Sequence, residues 1–180
     1  KKSIYAGEAV PVVVGSSTKD IGTLTLLHMI RQYFPTVSEN EAMIGVNDKG
    51  TEVKRHYKDD EPFSAFVFKT LIDPFVGTIN IMQIKSGTLQ KDQEIYVSSK
   101  ESTDKASQVF TLMGKNQISM DVFHAGDICA MAKVADVKTG TTLSDKKNIV
   151  VYPQIVSPTP TMYIAIRPEN KKDEDKLSNA

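Results

Sequence analysis

Residues 9–15 (Ala-Val-Pro-Val-Val-Val-Gly) form a short, nearly unbroken apolar run that leads into Gly15-Ser16-Ser17. A run of that length closed by turn-forming residues predicts a strand buried on both faces, as in a parallel sheet. The period then changes. Ile21, Leu24, Leu27, Ile30 and Phe34 recur every three or four positions, which places them on one stripe of a helix over residues 20–34. Thr18 or Asp20 is placed to cap its first amides, and Pro35 ends it. Strand, loop and amphipathic helix make one βα unit, and such a unit cannot bury its own apolar faces. Residues 1–35 are therefore expected to be the closing part of an α/β domain.

Residues 36–61 lose the pattern. Ser38, Glu39, Asn40 and Glu41, then Asn47, Asp48, Lys49 and Gly50, then Lys58, Asp59, Asp60 and Glu61 read as a polar linker. A short hairpin fits at the 48–50 turn signal. Residues 62–156 read differently. Strand-like runs occupy 63–68, 77–84, 94–97, 108–112, 128–134 and 149–155, with turns at Asp73-Pro74, Ser86-Gly87, Gly114, Ala125-Gly126-Asp127 and Thr139-Gly140. Short strands, frequent turns and no helical period predict a closed antiparallel β-barrel. Pro158 and Pro160 then interrupt any ladder and mark a boundary. Residues 157–180 open with the alternation Met162-Tyr163-Ile164-Ala165-Ile166, and Lys171 to Lys176 read as the exposed first turn of a helix. The expected fold class is mixed: a barrel preceded by a βα unit and followed by the first strand of an α+β domain.

Composition excludes several classes. The 180 residues are 40% hydrophobic and 24% charged, which is globular rather than disordered. Lys+Arg and Asp+Glu both number 22, so the chain is not a globally basic nucleic-acid binder and any RNA contact needs a local patch. The single cysteine, Cys129, rules out an internal disulfide and fits a reducing, cytoplasmic compartment. No apolar run reaches the roughly 18 residues of a membrane span. The chain begins Lys1-Lys2-Ser3 and stops where a helix would start, so an internal segment of a longer protein is expected.

Candidate chemistry is sparse. Gly15-Ser16-Ser17 before a helix could hold an anion, but the Gly-Lys-Ser/Thr of a phosphate loop is missing. Asn170-Lys171-Lys172-Asp173 matches a guanine-specificity pattern, yet it lies beyond the barrel and no Asp-x-x-Gly accompanies it. His28, His56 and His124 are scattered, and His124 with Cys129 lacks the second ligand pair of a zinc site. Cys129 reads as a small buried hydrophobe, and Asp59-Asp60-Glu61 as a solvated acidic run. No catalytic residue and no metal ligand is expected.

The string Asp60-Glu61-Pro62-Phe63-Ser64-Ala65-Phe66-Val67-Phe68-Lys69, with Asp73-Pro74-Phe75-Val76-Gly77 and Ser86-Gly87-x-Leu89, resembles the second domain of the elongation factor G family. The resemblance continues through Ala125-Gly126-Asp127-Ile128 and Thr139-Gly140-Thr141-Thr142-Leu143 into Ala165-Ile166-x-Pro168 and Lys171-x-Asp173-x-x-Lys176. Backward it includes Pro11 to Ser17 and the helix ending at Pro35, similar to the end of that family's GTP-binding domain. Departures from the family's common form include Ser17 for Ala, Gln83 for Arg, Lys85 for Tyr, Thr141 for Asp and Arg167 for Glu.

The resemblance implies a segment of a ribosome-dependent translational GTPase that moves tRNA and mRNA. It divides the chain into the end of a P-loop GTP domain (1–35), a linker (36–61), a β-barrel domain (62–156) and the start of an α+β third domain (157–180). It makes Gly15, Ser16 and Ser17 the last guanine loop, with the Ser17 N–H toward the guanine carbonyl and Ser16 ordering the loop. GTP and Mg²⁺ would serve the longer protein, with neither bound to this segment alone. The implied partners are the ribosome, small-subunit ribosomal RNA through the barrel, and the GTP domain of the same chain; DNA and membrane are not implied, and a monomer is. Lys69, Lys85 and Lys91 are the candidates for a local basic patch. Recycling factors and tetracycline ribosome-protection proteins share the architecture and are alternatives, as is a non-enzymatic barrel that binds RNA or protein.

Overall fold

The computed structural model describes residues 1–73, 76–114 and 116–170. The chain starts with a one-turn helix α1 (Lys2–Tyr5) and helix α2 (Thr23–Tyr33), then a 3₁₀ turn at Val37–Glu39. A hairpin follows, β1 (Met43–Val46) and β2 (Glu52–Arg55). The remaining strands are β3 (Ser64–Asp73), β4 (Gly77–Ser86), β5 (Leu89–Gln90), β6 (Glu94–Val97), β7 (Ser102–Lys105), β8 (Gln108–Met113), β9 (Asn116–Ser119), β10 (Val122–Phe123), β11 (Ile128–Ala132) and β12 (Thr142–Ser144).

Eight of these strands form one antiparallel sheet in the order β7-β6-β12-β3-β4-β11-β8-β9, while β5 and β10 pair as a separate ribbon. Alternation explains which face is covered. Along β4, Asn80, Met82, Ile84 and Ser86 are buried, whereas Ile81, Gln83 and Lys85 are half-exposed. The inward set joins Ala65 and Val67 of β3, Val97 of β6 and Leu143 of β12 in the main core. Leu89 and Phe123 of the ribbon enter the same core, so the ribbon packs against the sheet. Among the described residues no ladder joins the edge strands β7 and β9. The barrel expected from the sequence is thus observed as an antiparallel β domain with a main core and a second, smaller cluster of Ile79, Phe110, Ala130 and Ala132.

A buried hydroxyl cluster ties the end of the domain to its first strand. Ser64 Oγ lies 2.6 Å from both Ser86 Oγ and Tyr152 OH. Ser86 Oγ donates to the Pro62 carbonyl at 2.6 Å, and the Tyr152 N–H donates to Thr142 Oγ1 at 2.9 Å. Burial pushes the Tyr152 hydroxyl up to about 12, so it is a neutral partner at ordinary pH.

Four local expectations are corrected. The strand expected over 149–155 is reduced to one bridge between Val46 and Val151, because Pro153 carries no N–H to extend it. Residues 9–15 make no ladder, and Val12 and Val14 are 85% and 91% exposed. A buried strand needs neighbours on both edges, and none of the described residues supplies them. The alternating stretch 162–166 is likewise unpaired. Helix α2 begins three residues later than its pattern, at Thr23, with left-handed Gly22 as its N-cap and no side-chain cap from Thr18 or Asp20. Its apolar stripe exists but is uncovered; Leu24 is 72% exposed. Pro74, Phe75, Lys115 and the helix start expected at Lys171 to Lys176 lie outside the described residues.

Candidate functional site

The loop joining residues 9–15 to α2 is narrow. The Ser16 N–H donates to the Ile21 carbonyl at 2.9 Å, and the Ile21 N–H returns a bond to Ser16 O at 3.0 Å. Ser16 Oγ also lies 3.3 Å from Thr18 Oγ1 inside the loop. Both glycines are required where the loop closes. A Cβ on Gly15 would sit 2.6 Å from Ile21 O, and one on Gly22 would sit 2.7 Å from Val14 O. Ser17 is exposed at the tip, and among the described residues its N–H donates to nothing. A hollow of about 330 Å³ adjoins it, walled by Val13, Val14, Ile21 and Leu26 with the loop itself. An unpaired backbone donor beside an apolar wall suits a flat heteroaromatic ring that carries an acceptor oxygen.

The three lysines singled out for a basic patch have different surroundings. Lys69 is exposed on the outer face of β3, opposite Ile81. Lys85 shares that outer face four residues along β4, about 13 Å away at the usual strand rise. Its ammonium is already engaged: Nζ donates to Gln83 Oε1 at 2.6 Å and to Tyr57 OH at 3.1 Å, and lies 5.4 Å from the Tyr57 ring centre. Lys91 is exposed after β5 and lines a hollow of about 400 Å³ with Lys133, Gln108, Gln117 and Phe110.

Comparison with known proteins gives a consistent answer. Residues 62–146 match the family model described as elongation factor G domain 2. Residues 62–146 belong to the elongation factor G domain 2 family. Over all 180 residues the chain is 32% identical to elongation factor G of Ureaplasma parvum serovar 3, in two strains, covering 26% of each. The chain therefore spans about a quarter of the length of these relatives. A crystal structure from Thermus thermophilus superposes with a TM-score of 0.73 over 99% of this chain and 24% of that one, at 22% identity. This last likeness concerns the fold.

His56, His124 and Cys129 take structural places, His56 ahead of the matched residues 62–146 and the other two inside them. His124 Nδ1 lies 2.8 Å from Asp59 Oδ2, and the Ala125 N–H donates to Asp59 Oδ1 at 2.9 Å. The bond from Ala125 and the one from His124 hold the Asp59 carboxyl below the usual range. His56 pairs with Glu61 through Nδ1 at 2.8 Å. Asp59 and Glu61 are therefore partners of histidines rather than a free acidic run. Sequence reading missed this because Asp59 and His124 stand 65 positions apart, and no local period marks such a pair. No group of three potential metal ligands occurs among the described residues, and no described helix is long and apolar enough to cross a membrane.

Cys129 on β11 is 1% exposed, and burial pushes its thiol up to about 12. The native chain is expected to resist a thiol-labelling disulfide reagent at pH 8 and to take up one label on full denaturation. Labelling at the rate of a free thiol under native conditions would contradict this placement.

Proposed function

We propose that this chain is a segment of a ribosome-dependent translational GTPase that promotes tRNA–mRNA translocation. The observation that carries the reading is the 32% identity to elongation factor G over all 180 residues, beyond both ends of the matched domain. In this reading residues 1–35 close the GTP domain, 36–61 link it to the β domain of 62–156, and 157–180 begin a third domain. The sheet and the β5–β10 ribbon together act as the closed barrel, which touches small-subunit ribosomal RNA. Such a body changes the factor's shape only if GTP and GDP favour different arrangements of it.

Gly15, Ser16 and Ser17 are the guanine loop of the longer protein. The unpaired N–H of Ser17 supports this assignment, as do the Ser16 bonds that hold the loop closed. GTP and Mg²⁺ serve the longer protein, and the γ-phosphate chemistry belongs to a phosphate loop and an Asp-x-x-Gly that this sequence lacks. The chain alone is expected to hydrolyse no GTP.

The test is Ser17→Pro in the complete protein, which removes the N–H, beside Ser17→Ala, which keeps it. Loss of one neutral hydrogen bond should weaken GDP binding about tenfold in the proline variant and leave the alanine variant unchanged. Equal affinity in both variants would remove Ser17 from the site.

A further inference from the structure

The linker expected between residues 36 and 61 is fastened to the β domain at both ends. At the near end, Val37 lies against Gly126: a Cβ there would sit 2.7 Å from Val37 Cγ1. At the far end, Asp59 holds His124 and the Ala125 N–H of the same turn. Between them the segment reaches the way out of the domain. Gly45 is so close to the outgoing chain that a Cβ would sit 2.6 Å from Val150 Cγ2 and 2.7 Å from Val151 O. Val46 and Val151 exchange backbone bonds of 2.9 and 2.8 Å, and Arg55 Nη2 donates to the Asn148 carbonyl at 3.2 Å. The Gly87 N–H donates to Lys58 O at 2.8 Å.

We propose that residues 36–61 form a strap that couples the chain entering the β domain to the chain leaving it, with Asp59 as the latch. Most of these contacts are exposed, while Gly45 meets Val150 and Tyr152, which are buried where the chain leaves the domain. Apart from Gly45, every strap residue is exposed or half-exposed, whereas the sheet beneath has its own buried core. Segments held by exposed polar bonds open at lower free energy than a packed core. The strap can therefore loosen as a unit while β3, β4 and β12 stay paired. A displacement arriving at Val37 reaches Val150, Val151 and Tyr152 through the hairpin, without passing through Met82 or Leu143. This inference needs no nucleotide and stands apart from the GTPase reading.

Hydrogen exchange at single-amide resolution on the full chain tests it, comparing the native sequence with Asp59→Asn and, separately, Val37→Ala. Loss of the charged acceptor should speed exchange of the Val46, Gly87 and Val151 amides together, about tenfold, with Val67 unchanged. Val37→Ala should move the same amides in the same direction. The proposal is overturned if exchange rises only at Ala125 while Val46 and Val151 keep their rates in both variants. It is equally overturned if Val67 accelerates as much as Val151, because strap and sheet would then open as one body.

Discussion

Gly87→Ala is expected to destabilise the β domain by about 3–5 kcal/mol, at the high end for a single methyl group. Two causes act together. Gly87 has φ +66°, in the left-handed region that costs other residues roughly 1–2 kcal/mol. A Cβ there would also sit 2.6 Å from Glu61 O and 2.7 Å from both N and Cα of Phe63. These are backbone atoms, so no rotamer change relieves the clash, and Phe63 leads directly into β3. Gly50 supplies the control. Its φ is +75° but nothing lies within 4 Å of the added Cβ, so Gly50→Ala should cost only about 1 kcal/mol. Urea midpoints of the two variants measure the difference; equal midpoints would show that the close approach at Gly87 is not maintained in solution.

The second large effect is expected at Leu143. This side chain is fully buried, and its strand β12 pairs with Ala65 of β3 on one side and Val97 of β6 on the other. Leu143→Ala should cost about 2–5 kcal/mol, since the lost transfer energy is joined by a cavity that two ladders prevent from collapsing. Leu24→Ala on the exposed face of α2 is the matching control and should stay within about 0.5 kcal/mol in this chain. Equal losses at both positions would mean that the α2 stripe is covered as well as Leu143 is.

That pair of leucines shows what was legible. Periodicity marked β4, which alternates a buried and an outward set from Asn80 to Ser86. Short apolar runs between turns marked β3, β6, β8 and β11, and in β11 the four consecutive residues Cys129 to Ala132 are buried, two on each face. Neither signal marked β7 or β9, whose sequences Ser-Thr-Asp-Lys and Asn-Gln-Ile-Ser are polar edge strands. Edges are paired through the neighbour's pattern rather than their own. The stripe of α2 was legible as a stripe, but a hydrophobic period reports a face and not its cover. Residues 9–15 differ for the same reason: Val12 and Val14 announce a buried strand, and no described residue lies alongside to bury it. At the candidate site, the Gly15-Ser16-Ser17 turn was legible from composition. The role of Gly22 in closing that turn was not, because it rests on a contact with Val14 O. The latch at Asp59 was illegible for a similar reason, being made by a turn far along the chain.

GTP hydrolysis by the complete protein, with and without ribosomes and with tRNA–mRNA movement followed in the same reaction, decides whether this chain comes from a translocase. Ribosomes should stimulate hydrolysis, and movement should accompany it. Stimulated hydrolysis without movement would transfer the protein to a recycling or protection role, and hydrolysis indifferent to ribosomes would rule out a ribosome-dependent GTPase.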